Sequence, residues 1–407
     1  MSSTINSAAQ QLQATSSDTM DSIITINPQA SLFNYNFDRV DIFSKNTARL
    51  NFVETIDFGK TINCEIKNYG HLLNSLYLVV TLPTLQIPSG SSFIGYTNAV
   101  GYAMIDSIEL LMGEIVIVRQ SGEMLEMLDY LTVDASKKKA NDSMVGRYDN
   151  VDVLNLSAKK EQTLTIPLKY WFTKSLDASL PIVSLRNHKI KIRIKLKKFQ
   201  DLVTYDGNIL PTNTSIIDCY LMGDYYLLPQ ESVPLDSEKQ VFVIEQYQQI
   251  NFNINSGVLS SIYNLLFTKN IKEILFVIQD NKSAINNDYF NYGSRDPSNQ
   301  GSEFIKNVTL LLNGNTRFDT TPEVFYRNTV VTKYHTCAGN RNIYCIPFSE
   351  TPEINQPTGG LNLSLYSNIE LMLEYLQGNP NCTLMVFGIN YQVLTIQNGI
   401  SSVEYLL

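Results

Sequence analysis

IPLKYWFTKSLDASLPIVSLRNHKIKIRIKLK, residues 166–197, is the stretch that decides how this chain is read. Its end alternates strictly. Ile190, Ile192, Ile194 and Leu196 fall on one side, and Lys189, Lys191, Arg193, Lys195 and Lys197 on the other. Successive side chains of a strand point to opposite faces, so this is a β-strand with one apolar and one basic face. Upstream, an apolar run from Leu164 to Leu168 leads into Tyr170-Trp171-Phe172, which holds the single tryptophan. Residues 173–179 are polar and form a loop, after which Leu180-Pro181-Ile182-Val183 returns to an apolar path.

Strands are also expected on the N-terminal side, from Ala48 onward. Ile62, Cys64 and Ile66 alternate with Asn63, Glu65 and Lys67; residues 74–82 make a more continuously apolar strand; residues 105–112 and 114–118 flank a turn at Gly113. Ser121 fits a helix N-cap, with Glu123 in the first turn. Met124, Met127, Leu128 and Leu131 then share one face, expected to meet a core. Glu123 with Glu126, at surface spacing, and the loop triplet Lys137-Lys138-Lys139 are expected to be solvated. Residues 1–24 are small and polar and are expected to form a flexible arm.

Past the opening stretch, residues 214–228 make another strand. Residues 229–239, PQESVPLDSEK, carry two prolines and few apolar side chains and read as a linker. Strands resume at 241–244, 250–254, 271–278, 308–312, 343–348, 361–376 and 384–396. Residues 280–302 form a long Asn-, Gly-, Ser- and Asp-containing loop. Thr321-Pro322-Glu323 reads as a helix start with proline at the first helical position.

The two halves repeat each other. Residues 105–127 align without gaps on 305–327: a strand, a glycine-containing turn, a second segment and a capped helix. Downstream, Ile166-Pro167-Leu168 matches Ile346-Pro347-Phe348, and Ser184-Leu185 matches Ser364-Leu365. The alternating strand itself matches Ile369, Leu371 and Leu373. A period this long excludes a solenoid and indicates two tandem domains of one fold. Without repeated βαβ units a parallel sheet is not expected. The expected fold is all-β: two tandem eight-stranded jelly-roll sandwiches, a double jelly roll with short helices and long loops, at 25–228 and 240–407.

Composition agrees. The 407 residues call for more than one core, and 23 Tyr with 18 Phe favour strands. A net charge of −8 with only 17% charged residues describes a surface suited to packing against other proteins and gives no general reason to bind nucleic acid. Five cysteines without a CxxC pair read as buried free thiols of a reducing compartment. Neither a secretory signal nor an apolar run of about 18 residues is visible.

Candidate chemistry is sparse. His71, His188 and His335 are far apart in sequence. His335, Cys337 and Cys345 offer H-x-C-x7-C, which matches no common zinc spacing and lacks a fourth ligand. Nucleophile-elbow and phosphate-loop motifs are missing, so no catalytic, cofactor-binding or metal residues and no cofactor are expected. The basic strand has no interleaved aromatics to stack bases; it is expected to face water or the acidic residues of a neighbouring subunit. Seven Asn-x-Ser/Thr sequons occur, of which Asn141 and Asn281 are expected on loops.

Four segments, in order, carry a family resemblance. They are Gly70-His71-Leu72-Leu73 before LYLVVTLP; residues 100–105, VGYAMI, with SIEL and then Gly122-Glu123; the opening stretch with IPL, YWF, SLP and IVSL; and Asn390-Tyr391-Gln392-Val393-Leu394 with Ile396 and Gly399. Together they resemble the double jelly-roll major capsid proteins of nucleocytoplasmic large DNA viruses, of iridovirus or phycodnavirus type. Met124 stands where that family commonly has Trp, Arg119 near a common Asp, and Ser401-Ser402 in place of a glycine-rich pair, as in a divergent member. The resemblance implies a non-enzymatic structural protein of the virion capsid, assembled in the host cytoplasm. It implies a homotrimer whose six jelly rolls make a pseudo-hexagonal capsomer tiling an icosahedral shell. Implied partners are neighbouring capsomers, penton and minor capsid proteins and the internal viral membrane, with no specific nucleic acid. The alternatives are a scaffold or minor capsid protein of the same fold, and a carbohydrate-binding β-sandwich with clustered aromatics on a concave face.

Overall fold

The computed structural model describes residues 42–404, apart from 149, 208, 210, 213, 234–237, 294–302 and 339–340. The expected arm, residues 1–24, and the first residues assigned to roll one, 25–41, lie outside the described residues. The first half supplies β1 (Ser44–Leu50), β2 (Thr61–Glu65), β3 (Leu72–Leu82), β4 (Ile94–Tyr96), β5 (Ile105–Met112), β6 (Ile115–Gln120), β7 (Gln162–Pro167), β8 (Leu180–Pro181), β9 (Ile190–Leu196), β10 (Val203–Tyr205) and β11 (Asp218–Leu227). The second half supplies β12 (Gln240–Ile254), β13 (Ser260–Asn264), β14 (Asn270–Asp280), β15 (Ile305–Leu312), β16 (Asn315–Pro322), β17 (Tyr344–Pro347), β18 (Leu361–Asn362), β19 (Ile369–Tyr375), β20 (Cys382–Gln397) and β21 (Ile400–Glu404).

The alternating strand is β9, buried at Ile190, Ile192, Ile194 and Leu196 as its period requires. It sits inside a sheet ordered β2-β9-β5-β6. Ile194 lies opposite Ile62 and Ile108, and Ile192 opposite Cys64 and Leu110, so three strands present one apolar face. That face shares a hydrophobic core with a second sheet ordered β1-β11-β3-β7, to which β8 adds on β3. The second half repeats this order, β13-β19-β15-β16 and β12-β20-β14-β17 with β18 on β14; β21 on β20, and the β10-β4 pair of the first half, are additions to the shared plan. Each half is thus an eight-stranded jelly roll, as the duplication predicts.

The repeat extends to details of backbone. The β5–β6 turn has Gly113 and Glu114 at φ 57° and 69°, and the β15–β16 turn has Asn313 and Gly314 at 48° and 78°. Both are tight hairpin turns with two left-handed residues. In β3 the register against β11 skips Asn74, and in β14 the register against β20 skips Lys272. These matched β-bulges turn a polar residue inward in each roll. Asn74 is buried, and its Nδ2 donates to the carbonyls of Phe172 (3.0 Å) and Ser175 (2.8 Å).

The helix expected after Ser121 is present at Gly122–Thr132. The Ser121 side chain accepts from the Met124 amide, and Met124, Met127 and Leu131 are buried. Elsewhere the structure departs from expectation. Residues 240–254 are one 15-residue strand, not two. Residues 361–376 are interrupted by a 3-10 turn at Leu363–Leu365. Lys138–Val145 and Val151–Ser157 are helices where polar loop was expected; each buries a single residue, Val145 and Leu154, too little to leave a periodic signal. Lys138 and Lys139 therefore sit on a helix, and Lys138 Nζ lies 4.2 Å over the Tyr130 ring. Pro322 ends β16 instead of opening a helix. At the end of an edge strand its missing N–H costs no ladder bond, and the helical turn begins at Glu323.

Gly122, the first residue of its helix, has no room for a side chain: a Cβ there would overlap the carbonyl oxygens of Tyr102 and Ile105. Gly122→Ala should lower stability by ~1–3 kcal/mol through this overlap, although alanine is the better helix former. Urea denaturation checks it; an unchanged midpoint would mean that the helix slides away from residues 102–105 at no cost.

Candidate functional site at the seam between the rolls

Both rolls belong to one compact unit, Phe43–Leu407. Their buried apolar residues form one continuous cluster, and a polar seam runs between them as well. It begins in β12, at Glu245-Gln246-Tyr247-Gln248-Gln249, whose polarity hid the middle of this strand from sequence reading. Gln246 Nε2 donates to the Ile117 carbonyl at the end of roll one (2.8 Å), and Gln240 Nε2 to Ser184 Oγ (3.0 Å). This part of the sheet meets donors and acceptors of the other roll, so polar side chains are retained within a strand.

At the centre of the seam is an ion triad built on two buried residues, Glu245 and Lys272. The bulge in β14 aims Lys272 inward, where Nζ bonds Glu245 Oε1 and the Pro352 carbonyl. Lys174, in the loop after Trp171, reaches the same Glu245 oxygen from roll one at 2.7 Å. Burial alone would push the Glu245 carboxyl up; Lys174 and Lys272 outweigh it and hold it down at about 2.

Beside the triad, Glu273 of β14 faces His335, which caps the helix Val331–Tyr334, and Cys345 of β17. Glu273 and Cys345 share a sheet face because Glu273 pairs with Pro347, two residues along from Cys345. His335 Nε2 lies 3.2 Å from Glu273 Oε2 and 3.4 Å from Cys345 Sγ, and Cys345 Sγ lies 3.6 Å from the same Glu273 oxygen. His335 Nδ1 is 3.1 Å from Glu353 Oε1. Burial would lower the His335 imidazole, but Cys345 and Glu273 hold it well above the usual histidine range. Burial pushes the Cys345 thiol up to about 11. Sequence spacing paired His335 with Cys337 and Cys345; the fold gathers His335 and Cys345 but takes Glu273, not Cys337, as the third member. No sequence signal marks Glu273, which arrives from a strand 62 positions upstream of His335.

A second charged contact lies under the helix Gly122–Thr132. Glu126 was expected at the surface with Glu123, yet it is fully buried. Arg147 of roll one reaches it at 3.2 Å, and Arg341 of roll two also pairs with it. The Cys337 amide donates to the Leu131 carbonyl (2.8 Å) alongside. Two further contacts close the seam's ends. The Asn398-Gly399 turn accepts from Asn187, at 3.1 Å to the Asn398 carbonyl and 3.0 Å to that of Gly399. From the start of the long loop, Asn287 Nδ2 donates to the Gln200 and Val203 carbonyls (2.9 and 2.8 Å), and Tyr289 OH to that of Asp201 (2.9 Å).

The basic face of β9 is also settled within the chain. Lys189 pairs with Glu65 (3.2 Å), Lys191 with Glu114, Arg193 with Glu109 (3.1 Å), Lys195 with Asp106 (2.7 Å) and Lys197 with Glu123 (3.1 Å). This face was expected to meet water or the acidic residues of a neighbouring subunit; its acidic partners come from the strands and helix beside it, while Lys189 and Lys195 remain largely exposed to solvent. Trp171 is buried and packs edge-on against Phe172, so it offers no sugar-stacking face. All five cysteines are buried free thiols. Asn141 and Asn281 lie on short helices, not loops, and both amides are engaged: Asn141 Nδ2 donates to Asp129 Oδ2 (2.5 Å) and Asn281 Oδ1 accepts from Thr383 (2.8 Å). No helix of the described residues is long and apolar enough to cross a membrane.

Glu245→Gln should destabilise the chain by ~3–5 kcal/mol, because it leaves the buried Lys272 ammonium without its carboxylate and removes the partner of the more exposed Lys174. The pH dependence has a definite sign. The folded Glu245 carboxyl at about 2 lies below its ordinary 4.5, so its contribution is complete above 4.5 and lost as pH falls towards 2. Denaturant midpoints measured across that window should fall more steeply for the parent than for Glu245→Gln; parallel curves would refute the assignment. By contrast, Lys189→Glu should change stability by no more than ~1 kcal/mol, since its pair with Glu65 is solvent-exposed. A larger shift in its denaturation midpoint would show a buried role for that cation.

Two family descriptions match the chain. "Major capsid protein N-terminus" covers residues 31–228, and "Large eukaryotic DNA virus major capsid protein" covers residues 234–402. The major capsid protein of Pyramimonas orientalis virus is 25% identical, over 93% of this chain and 94% of its own length. That of Paramecium bursaria Chlorella virus 1 is 21% identical over 95% and 96%. Among solved structures, the chain in a quasi-atomic model of the PBCV-1 virus capsid superposes with a TM-score of 0.78 at 18% identity, covering 93% of this chain and all of that one. The Faustovirus major capsid protein superposes with a TM-score of 0.74 at 10% identity, over 93% and 94%. Two jelly rolls of one strand order, matched in turn by the two halves of one family, place this chain among the double jelly-roll major capsid proteins of large eukaryotic DNA viruses, structural components of the virion and not enzymes.

Proposed function

We propose that three copies of this chain form a capsomer of six jelly rolls with a pseudo-hexagonal outline, and that such capsomers tile an icosahedral shell. The observation that carries this reading is the duplicated roll joined through a buried, hydrogen-bonded seam. Threefold symmetry among chains then becomes near-sixfold symmetry among rolls, provided that the two rolls of each chain keep one fixed relation. The seam supplies that rigidity. The cations of β9 are already paired within the chain, so contact between copies does not depend on them.

The same reading includes neighbouring capsomers, penton and minor capsid proteins and the internal viral membrane as partners, and the host cytoplasm as the place of assembly. It also sets the rolls at residues 25–228 and 240–407 with 229–239 between them. In support, β11 ends at Leu227, β12 begins at Gln240, and the two family descriptions change over between 228 and 234. A shell role is favoured over a scaffold or minor role because the relatives matched over nearly their whole length are major capsid proteins.

Size-exclusion chromatography with light scattering should give a mass three times the 46.0 kDa of the chain. A stable monomer at high concentration would overturn the trimer. In purified virions the protein should dominate the gel; a trace band would favour the scaffold or minor role.

A further inference from the structure

We propose that Glu273, His335 and Cys345 form a zinc-binding site inside the second roll. The three ligand atoms form a nearly equilateral triangle with sides of 3.2, 3.4 and 3.6 Å. Zinc bonds of about 2.0 Å to N and O and about 2.3 Å to S, at tetrahedral angles, separate such atoms by about 3.3–3.5 Å. One ion at the apex of this triangle would therefore lie at bonding distance from all three atoms. A thiolate, an imidazole and one carboxylate favour zinc over magnesium or calcium, which take oxygen ligands.

The surroundings supply what such a site needs. Glu353 accepts from His335 Nδ1, which leaves Nε2 to the metal and fixes the ring, the carboxylate–histidine arrangement that orients metal ligands. Zinc takes a thiolate and a neutral imidazole nitrogen, so binding would release the Cys345 S–H proton to solvent, while His335 Nδ1 stays bonded to Glu353. A water molecule completes the tetrahedron. The ion would join β14, β17 and the end of the helix Val331–Tyr334, two residues before the Cys337 amide that contacts roll one. It would act as a structural crosslink at the seam.

The full-length chain should be folded with Zn2+, dialysed, and its metal content measured by plasma mass spectrometry. About one zinc per chain is expected, with affinity at least ~10-fold weaker in Cys345→Ser and in Glu273→Gln. Cobalt offers a reading that needs no variant: Co2+-loaded parent should show thiolate-to-cobalt absorption in the near ultraviolet and the visible bands of a tetrahedral ion. A folded parent that retains neither ion, or a cobalt spectrum without the thiolate band, overturns the proposal. So does undiminished zinc in both variants. None of these readings depends on oligomeric mass, so a failure here is distinct from a failure of the capsomer.

Discussion

One carboxylate, that of Glu245, is held between two ammonium groups that reach it from opposite rolls. A buried charge tolerates little displacement, because its solvation is supplied by a few fixed partners. Lys174 must therefore stay near β12, and β14 must keep the bulge that turns Lys272 inward. The relation between the rolls follows from these demands. Hydrophobic burial builds each sandwich, but it is non-directional and would allow one sandwich to slip on the other. The seam is directional, and it fixes how the two sandwiches, already joined by a continuous apolar cluster, are set against each other.

The parts of this architecture legible in sequence were those governed by periodicity. The alternation of Ile190, Ile192, Ile194 and Leu196 gave the strand and its apolar face. The spacing of turn, helix and Ile-Pro gave the duplication and hence the double jelly roll. What escaped were residues whose polarity is satisfied by partners distant in the chain. Glu126 has the spacing of a surface residue and is buried, because Arg147 and Arg341 arrive from 21 and 215 positions away. Glu245 to Gln249 broke the apparent strand for the same reason. Glu273, the unseen member of the His335 cluster, is likewise a polar residue inside a sheet. Hydrophobicity patterns equate polar with solvated, and a polar seam is where that equation fails.

The basic face of β9 teaches the converse. Five cations in a row look like an interaction surface, yet Glu65, Asp106, Glu109, Glu114 and Glu123 answer them from adjacent elements. Cross-strand pairing is invisible until the strand order is known. The equivalent strand, β19, carries Glu370, Met372 and Glu374 at the corresponding positions, so this face has diverged freely while the apolar face has not.

The matched bulges at Asn74 and Lys272 carry a historical consequence. A skipped residue at the same point of the same strand in both rolls is most simply inherited from a single ancestral roll that already possessed it. In one descendant the pocket behind the bulge kept a neutral amide bonded to its own loop. In the other it came to hold the Lys272 ammonium, which bonds Glu245 of its own roll. That carboxylate is the one Lys174 of the first roll also reaches, so a local irregularity shared by both rolls holds in place the group at which they meet.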